Sequence, residues 1–412
     1  MIRFSRVLFA ALVVVAGLVR PAAAQVVQPS PDLRGICVTS FPVTAQTSMA
    51  AFETALAVSG VDGMVLDFGW DTLEPAPKTY QWDLVESWLK LAKRHNKKLT
   101  LAIRADKTPD WLFKTGLTGT PATKLTFGWK GVCGAVKIAA PWDPRFLEAW
   151  GAMIGDVAAH LRAEHLDDVV TIVRITGVNV DSNETHLPSS DATTGCTPTD
   201  DEMWKNAPAT PGNAPGFSEA NLLVGWNAIL GFFDSAFRGK VFSVAIIDSI
   251  HPFPIVPGGP DTSRTQNAPL ILALRTKFPG RLVIQNNSLY PKENAQKETV
   301  DFATEKTTPP TPPTWIAFQT NKVERAQAGC NGRHQAPAPC TDALYLNMLN
   351  TGIYPAGYPG RAQYIEVFPD DAKGFPAAIL KAHEELFATP LPPPRGGGGC
   401  PPQPPGQPNP CQ

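Results

Sequence analysis

The sequence predicts a (β/α)8 barrel, a TIM barrel, with long loops on the carboxyl-terminal face of its strands. Two observations carry that reading. Eight short apolar, β-branched runs recur between residues 35 and 368, and the stretches between them place apolar residues at helical spacing. A third observation disfavours the open doubly wound sheet: no Gly-rich phosphate turn follows the first run.

The runs fall at residues 35–40, 63–68, 99–103, 169–176, 241–247, 282–286, 315–319 and 364–368. Leu84, Trp88 and Leu91 form the helical stripe after the second run. Phe146, Trp150, Met153, Val157 and Leu161 form one after the third, and Leu222, Trp226, Ile229 and Phe233 one after the fourth. The sixth helix, near residues 293–305, has a thin stripe. After the eighth run, Ile379, Leu380, His383 and Leu386 complete the last unit. Strand followed by helix, with no strand hairpins between, implies parallel order closed on itself.

The two ends of the chain differ from this body. Arg3 and Arg6 precede an uncharged apolar run over residues 7–19, then Pro21 and Ala22, Ala23 and Ala24, which reads as a signal peptide over residues 1–24. After Phe387 the composition turns to Pro, Gly and Gln, so residues 389–412 read as a disordered tail. The barrel domain is expected over residues 25–388, and the mature protein is expected to be secreted or periplasmic. Loss of Arg3, Arg6 and Arg20 with the leader takes the formal charge from -1 to about -4. That balance gives no electrostatic reason for nucleic acid or, after cleavage, a membrane as partner.

Of seven cysteines, Cys330 with Cys340, Cys400 with Cys411, and Cys133 with Cys196 have spacings that invite pairing, leaving Cys37 as a small buried hydrophobe. Connectivity stays open at this point. No Cys or His cluster has zinc spacing, and no phosphate loop, dinucleotide fingerprint or nucleophile elbow is present, so neither metal nor cofactor is expected.

In such a barrel, chemistry belongs at the carboxyl ends of the strands. Polar and aromatic residues gather there: Asp67, Trp70 and Glu74 after the second run, Arg104 and Asp106 after the third, Asn179, Asn183 and Glu184 after the fourth. Asp248 and His251 follow the fifth, Asn286 and Asn287 the sixth, Gln319 and Asn321 the seventh, and Glu366 lies in the eighth. Insertions around residues 108–141 and 187–216 add Trp111, Trp129, Trp142 and Trp204. Aromatic faces beside a polar cleft suit sugar rings, and the same tryptophans equally suit packing of long loops onto the barrel.

The segments Trp70-Asp-Thr-Leu73-Glu74-Pro75, Tyr80-Gln-Trp82-Asp83, Lys97-Lys98-Leu99-Thr-Leu101 and Pro109-Asp-Trp111-Leu112 resemble the second and third units of retaining glycoside hydrolases of the large β-galactosidase and cellulase clan. The resemblance implies a glycoside hydrolase acting on a β-linked oligosaccharide or polysaccharide. It places the general acid/base at a Glu preceded by Asn after the fourth strand, here Asn183-Glu184. It also asks for a Glu ending the seventh strand, where this chain has Gln319.

Three repairs follow from that amide. Glu366 on the eighth strand takes the second carboxylate's role; or the strand count is off by one; or the protein binds sugar without cleaving it. Ile365 and Val367 alternate with Glu366, so packing of those two against helices points Glu366 into the barrel, with Arg104 as a possible ion-pair partner. The catalytic pair expected is thus Glu184 and Glu366. Asp67, Trp70, Arg104, Trp111, Asn179, Asn183, Asn286 and Gln319 are the expected substrate contacts. A wide separation across the barrel would favour inversion of configuration.

Overall fold

The computed structural model describes residues 33–39, 43–44, 46–129, 132–179, 182–185, 197, 200–207, 209, 215–246, 263–289, 294–304, 314–322, 330, 340–358 and 360–388. The expected leader and tail lie outside these residues, as do His186, Asp248, His251 and His334.

The chain opens with β1 (Gly35–Val38), α1 (Met49–Leu56) and β2 (Val61–Gly69). A short α2 (Trp70–Leu73) and the longer α3 (Trp82–Arg94) lead to β3 (Lys98–Arg104). Next come α4 (Asp110–Lys114), β4 (Lys124–Trp129), β5 (Val132–Ala139) and α5 (Pro144–Ala163). The middle of the chain holds β6 (Val170–Arg174), α6 (Asp200–Lys205), α7 (Glu219–Ala236), β7 (Val241–Ile246) and α8 (Ser263–Lys277). It ends in β8 (Leu282–Leu289), α9 (Asn294–Thr304), β9 (Trp315–Thr320), α10 (Asp342–Ile353), β10 (Tyr364–Val367), α11 (Pro369–Gly374) and α12 (Pro376–Phe387).

Eight strands close into one parallel barrel, in the order β1, β2, β3, β6, β7, β8, β9, β10 and back to β1. Each expected run is one of these strands, so the strand count holds and β9 is the seventh barrel strand. The expectation of no hairpin is corrected: β4 and β5 pair antiparallel inside the insertion after β3. Phe127, Val136 and Ile138 are buried there, which gives the hairpin an apolar underside.

Local signals set where the helices begin. Ser48, Asp143, Ser218 and Thr341 each accept a backbone N–H of the first turn of α1, α5, α7 and α10. Such a cap contributes about 1 kcal/mol. Pro144, placed at the start of α5, lacks the N–H that would otherwise be orphaned.

Two apolar layers result. The larger lies between strands and helices and buries Trp88, Trp150, Trp226 and Phe233 completely or nearly so. The smaller lies inside the barrel and consists of Leu33, Cys37, Val65, Ile172, Val283, Ala317 and Tyr364. Strand side chains alternate between faces, so this inner set identifies the inward positions two residues further along each strand: Asp67, Arg174, Gln285, Gln319 and Glu366. Cys37 is a free, buried thiol within this inner set, and Cys330 and Cys340 are joined in a disulfide. Cys133 is disulfide-bonded; Cys196, Cys400 and Cys411 lie outside the described residues. No helix among the described residues is long and apolar enough to cross a membrane.

Candidate functional site

The site is built on a detour in the fourth barrel strand. Ile175 donates its N–H to the Ser243 carbonyl on β7, and an unbroken parallel ladder would next bring residue 177 to Ala245. Instead Thr185 donates to the Ala245 carbonyl at 2.7 Å, and Glu184 bridges to Ala245 in parallel register. Glu184 therefore takes the register position that residue 176 would have held, the inward position above Arg174. This explains the long approach to Asn183-Glu184 in sequence: the intervening chain leaves the sheet and returns to it.

Gly177 turns the chain out, at φ +122°. A Cβ there would stand 3.0 Å from the Ile229 Cδ1 atom. Asn179 then pins the detour from within. Its Oδ1 accepts the Gly177 N–H at 3.1 Å, and its Nδ2 donates to the Ser182 carbonyl and to Asp106 at 2.9 Å. Asp106 in turn takes a two-pronged bond from Arg104, at 2.9 and 2.6 Å. Asn179 and Arg104 thus hold the segment that carries Glu184.

Inside the lumen a second set of polar groups is joined end to end. The Arg174 Nη2 donates to Gln285 at 2.7 Å and pairs with Glu366. Gln285 also accepts the Tyr364 hydroxyl at 2.7 Å and donates to Asn287 at 2.7 Å. Asn287 donates to Glu184 Oε1 at 2.9 Å and to Asn183 at 3.1 Å, and Asn183 donates to Asp67 at 3.0 Å.

Burial dominates the electrostatics. It raises the Glu184 carboxyl above the usual carboxylate range, with the Asn287 hydrogen bond and the charges of Arg104 and Arg174 pulling the other way. Asp67 is pushed up to about 7 by burial, helped by Asp106 and opposed by Arg104, Arg174 and the Asn183 bond. For Arg174, burial works against the cation, yet the charge and hydrogen bond of Glu366, together with Tyr364 and Asp67, outweigh it and the guanidinium is held above its ordinary value. A buried guanidinium requires such a counter-ion, because it cannot shed its proton.

The expected site residues sort cleanly by position. Glu184, Asn183, Asp67 and Glu366 share the lumen, with Asn179 and Arg104 supporting the detour. Glu366 points inward, as its alternation implied, but its ion-pair partner is Arg174, not Arg104. It lies in register with Gln319 on the neighbouring strand, and Gln319 is half-buried. Trp70 and Trp111 are placed elsewhere. Trp70 is fully buried among Trp111, Phe146 and Trp150, with its Nε1 on Glu74 at 2.8 Å, and Trp111 donates to the Glu74 carbonyl at 3.0 Å. Both fasten loops to the barrel, as does Trp142 against Phe217. Asn286 also faces away from the lumen on β8, its Oδ1 accepting the Ser288 N–H at 2.8 Å. Its neighbour Asn287 is the lumen residue.

Arg174, Gln285 and Tyr364 were not singled out from sequence. The signal was there: each alternates with apolar neighbours in its strand, on the parity of Ile172, Val283 and Glu366. Among the described residues, ligand atoms suited to a metal converge only at Glu86, His160 and Glu164, outside the barrel on the helices. There Lys90 binds Glu86 at 2.6 Å and His160 stacks on Trp82, which accounts for those groups without an ion.

No family model matches the sequence, and no curated protein is similar to it in sequence. In structure the chain is similar to the catalytic domain of β-amylase from Paenibacillus polymyxa, with a TM-score of 0.54, 12% identity, and coverage of 88% of this chain and 99% of that one. It is also similar to β-galactosidase from the psychrophilic Marinomonas ef1, with a TM-score of 0.50 and 11% identity over 85% of this chain and 59% of that one. Both are glycoside hydrolases, and at these identities the likeness shows the fold: a closed eight-stranded parallel barrel.

Proposed function

We propose that the chain is an exported glycoside hydrolase acting on a β-linked saccharide, with Glu184 as the proton donor to the leaving oxygen. The observation that carries this is the placement of Glu184: an inward carboxyl at the carboxyl end of the fourth barrel strand, half-buried, with its proton affinity raised by burial. A leaving glycosidic oxygen needs an acid that is still protonated near neutral pH and is oriented by its neighbours. Burial shifts Glu184 in that direction, and Asn287 orients it. Asp67 and Asn183 stand beside it as groups able to bond sugar hydroxyls.

Glu366 takes the second carboxylate's role in this proposal. It faces the lumen in register with Gln319, one strand over from the seventh-strand position where the resembling clan carries its Glu. Burial raises its carboxyl above the usual carboxylate range, and the paired Arg174 cation pulls it back toward the ionised form a base or nucleophile requires. A second reading, sugar binding without cleavage, is favoured by one observation: Glu366 has no exposed surface, so water or sugar reaches it only if the lumen opens.

Purified protein incubated with aryl glycosides of both anomers and with oligosaccharides separates the two. Cleavage that falls by about 10² or more in Glu184→Gln with melting unchanged, and in Glu366→Gln at a temperature where that variant, destabilised by loss of the Arg174 counter-ion, is still folded, supports the proposal. Full activity of Glu366→Gln removes Glu366 from the chemistry. Binding with no turnover on any substrate establishes the second reading. For an active enzyme, NMR of the first-formed anomer checks the inversion expected from carboxylates on opposite sides of the barrel.

A further inference from the structure

Resting on Glu184 as the proton donor, we infer that Gln285 is a positioning residue: with Asn287 it forms a one-way hydrogen-bond relay from Arg174 that confines the Glu184 proton to Oε2. Side-chain amides are ambiguous by themselves, since oxygen and nitrogen ends are nearly isosteric. Here the ends of the chain remove the ambiguity. Arg174 can only donate, and its Nη2 meets one end of Gln285 at 2.7 Å, where Tyr364 also donates at 2.7 Å. That end is therefore the carbonyl oxygen, and the opposite end is the NH2 that donates to Asn287.

The same reasoning passes down the chain. Asn287 receives from Gln285 at its oxygen, so its nitrogen faces Glu184 and Asn183 with one hydrogen for each. Asn183 receives at its oxygen and donates onward to Asp67, a carboxyl that closes the relay as acceptor. Reversing any one amide would set donor against donor at its end nearer Arg174, in a buried setting where unpaired polar groups are costly.

The chemical consequence falls on Glu184. Its Oε1 is always an acceptor, because Asn287 has only hydrogens to offer it. When the carboxyl is protonated, the proton sits on Oε2. When it has given that proton away, the bond from Asn287 strengthens, as bonds to an ionised acceptor do. Gln285 touches neither Glu184 nor substrate in this scheme; it acts by fixing which end of Asn287 faces the acid.

The test is a double-mutant cycle read by titration. The full chain is labelled with 13C at the glutamate carboxyl, the Glu184 resonance is assigned by its loss in Glu184→Gln, and its midpoint is followed with pH. Asn287→Ser removes the donor to Oε1 and should raise the Glu184 midpoint by about half a unit or more. Gln285→Met should raise it in the same direction by less. In the double variant the midpoint should equal that of Asn287→Ser alone, because Gln285 has no route to Glu184 once Asn287 is gone.

An unchanged midpoint in folded Gln285→Met, or additive shifts in the double variant, would overturn the relay. Should Gln285→Met fail to fold, Asn287→Ser alone carries the test, and no rise in its midpoint overturns the inference. The titration needs no substrate. Absence of turnover on every glycoside therefore counts against the proposed function and leaves the relay to stand or fall on the midpoints.

Discussion

Asp67 shows how far a single side chain can bias the behaviour of the whole chain. Burial raises its carboxyl to about 7, so the folded protein holds a proton that the unfolded chain releases near pH 4. The unfolded state thus binds fewer protons between about pH 4 and about pH 7, and stability falls as pH rises through that window. Asp67→Asn keeps an oxygen for Asn183 and has no proton to lose. Its melting temperature relative to the parent should climb from pH 4 to pH 8; a constant difference across that range would show that Asp67 is not held protonated. Residues of this kind were legible in the sequence as strand-end polar groups, yet the sequence did not separate Asn286 from Asn287. One position decides which of two adjacent amides enters the lumen, and only the register of β8 resolves it.

The elements were more legible than the residues they present. All eight barrel strands follow from β-branched runs, because every barrel strand is covered on both faces and reads as nearly continuous apolar sequence. The hairpin of β4 and β5 escaped notice, as an insertion strand has one exposed face and, among the described side chains, few buried apolar ones to announce it: Leu125, Phe127, Val136, Ile138 and Ala139. Trp70 and Trp111 misled for a related reason. Tryptophan near a strand end packs loops as readily as it stacks on sugars, and composition cannot tell which.

The detour that carries Glu184 is itself an element, and Gly177 is its entry. Gly177→Ala would force a side chain into a backbone region it rarely adopts and press a Cβ to 3.0 Å from Ile229. A cost of about 1–3 kcal/mol follows, which for a domain of this size lowers the melting temperature by a few degrees. Catalytic turnover should drop by more than the change in stability accounts for, because the displaced segment is the one that aims Glu184. Calorimetry with kinetics on the same preparation checks both; unchanged turnover in the destabilised variant would separate the detour from the site.

At the scale of the molecule, the barrel is complete within the described residues: its last helix, α12, ends at Phe387. Residues 389–412 contain none of the apolar side chains a core needs beyond Leu391. Ending the chain at Ala388 should therefore leave melting within about a degree or two, and a larger loss would reveal packing between tail and barrel. The Arg361 side chain bonds the Ala388 carbonyl, so the truncation should keep that residue.

The detour between Ile175 and Thr185 also divides the molecule in time. A strand interior opens only when the barrel does, whereas a segment that leaves the sheet and is tied back at Thr185 and Asn179 can open by itself at lower free energy. The carboxyl proposed as proton donor would then be lost before the fold is. Activity should fade reversibly on warming, several degrees below the calorimetric transition, while the amide of Thr185 exchanges with solvent deuterium faster than those of Leu101 or Val173. Heat would reach this protein as loss of function first and loss of structure second.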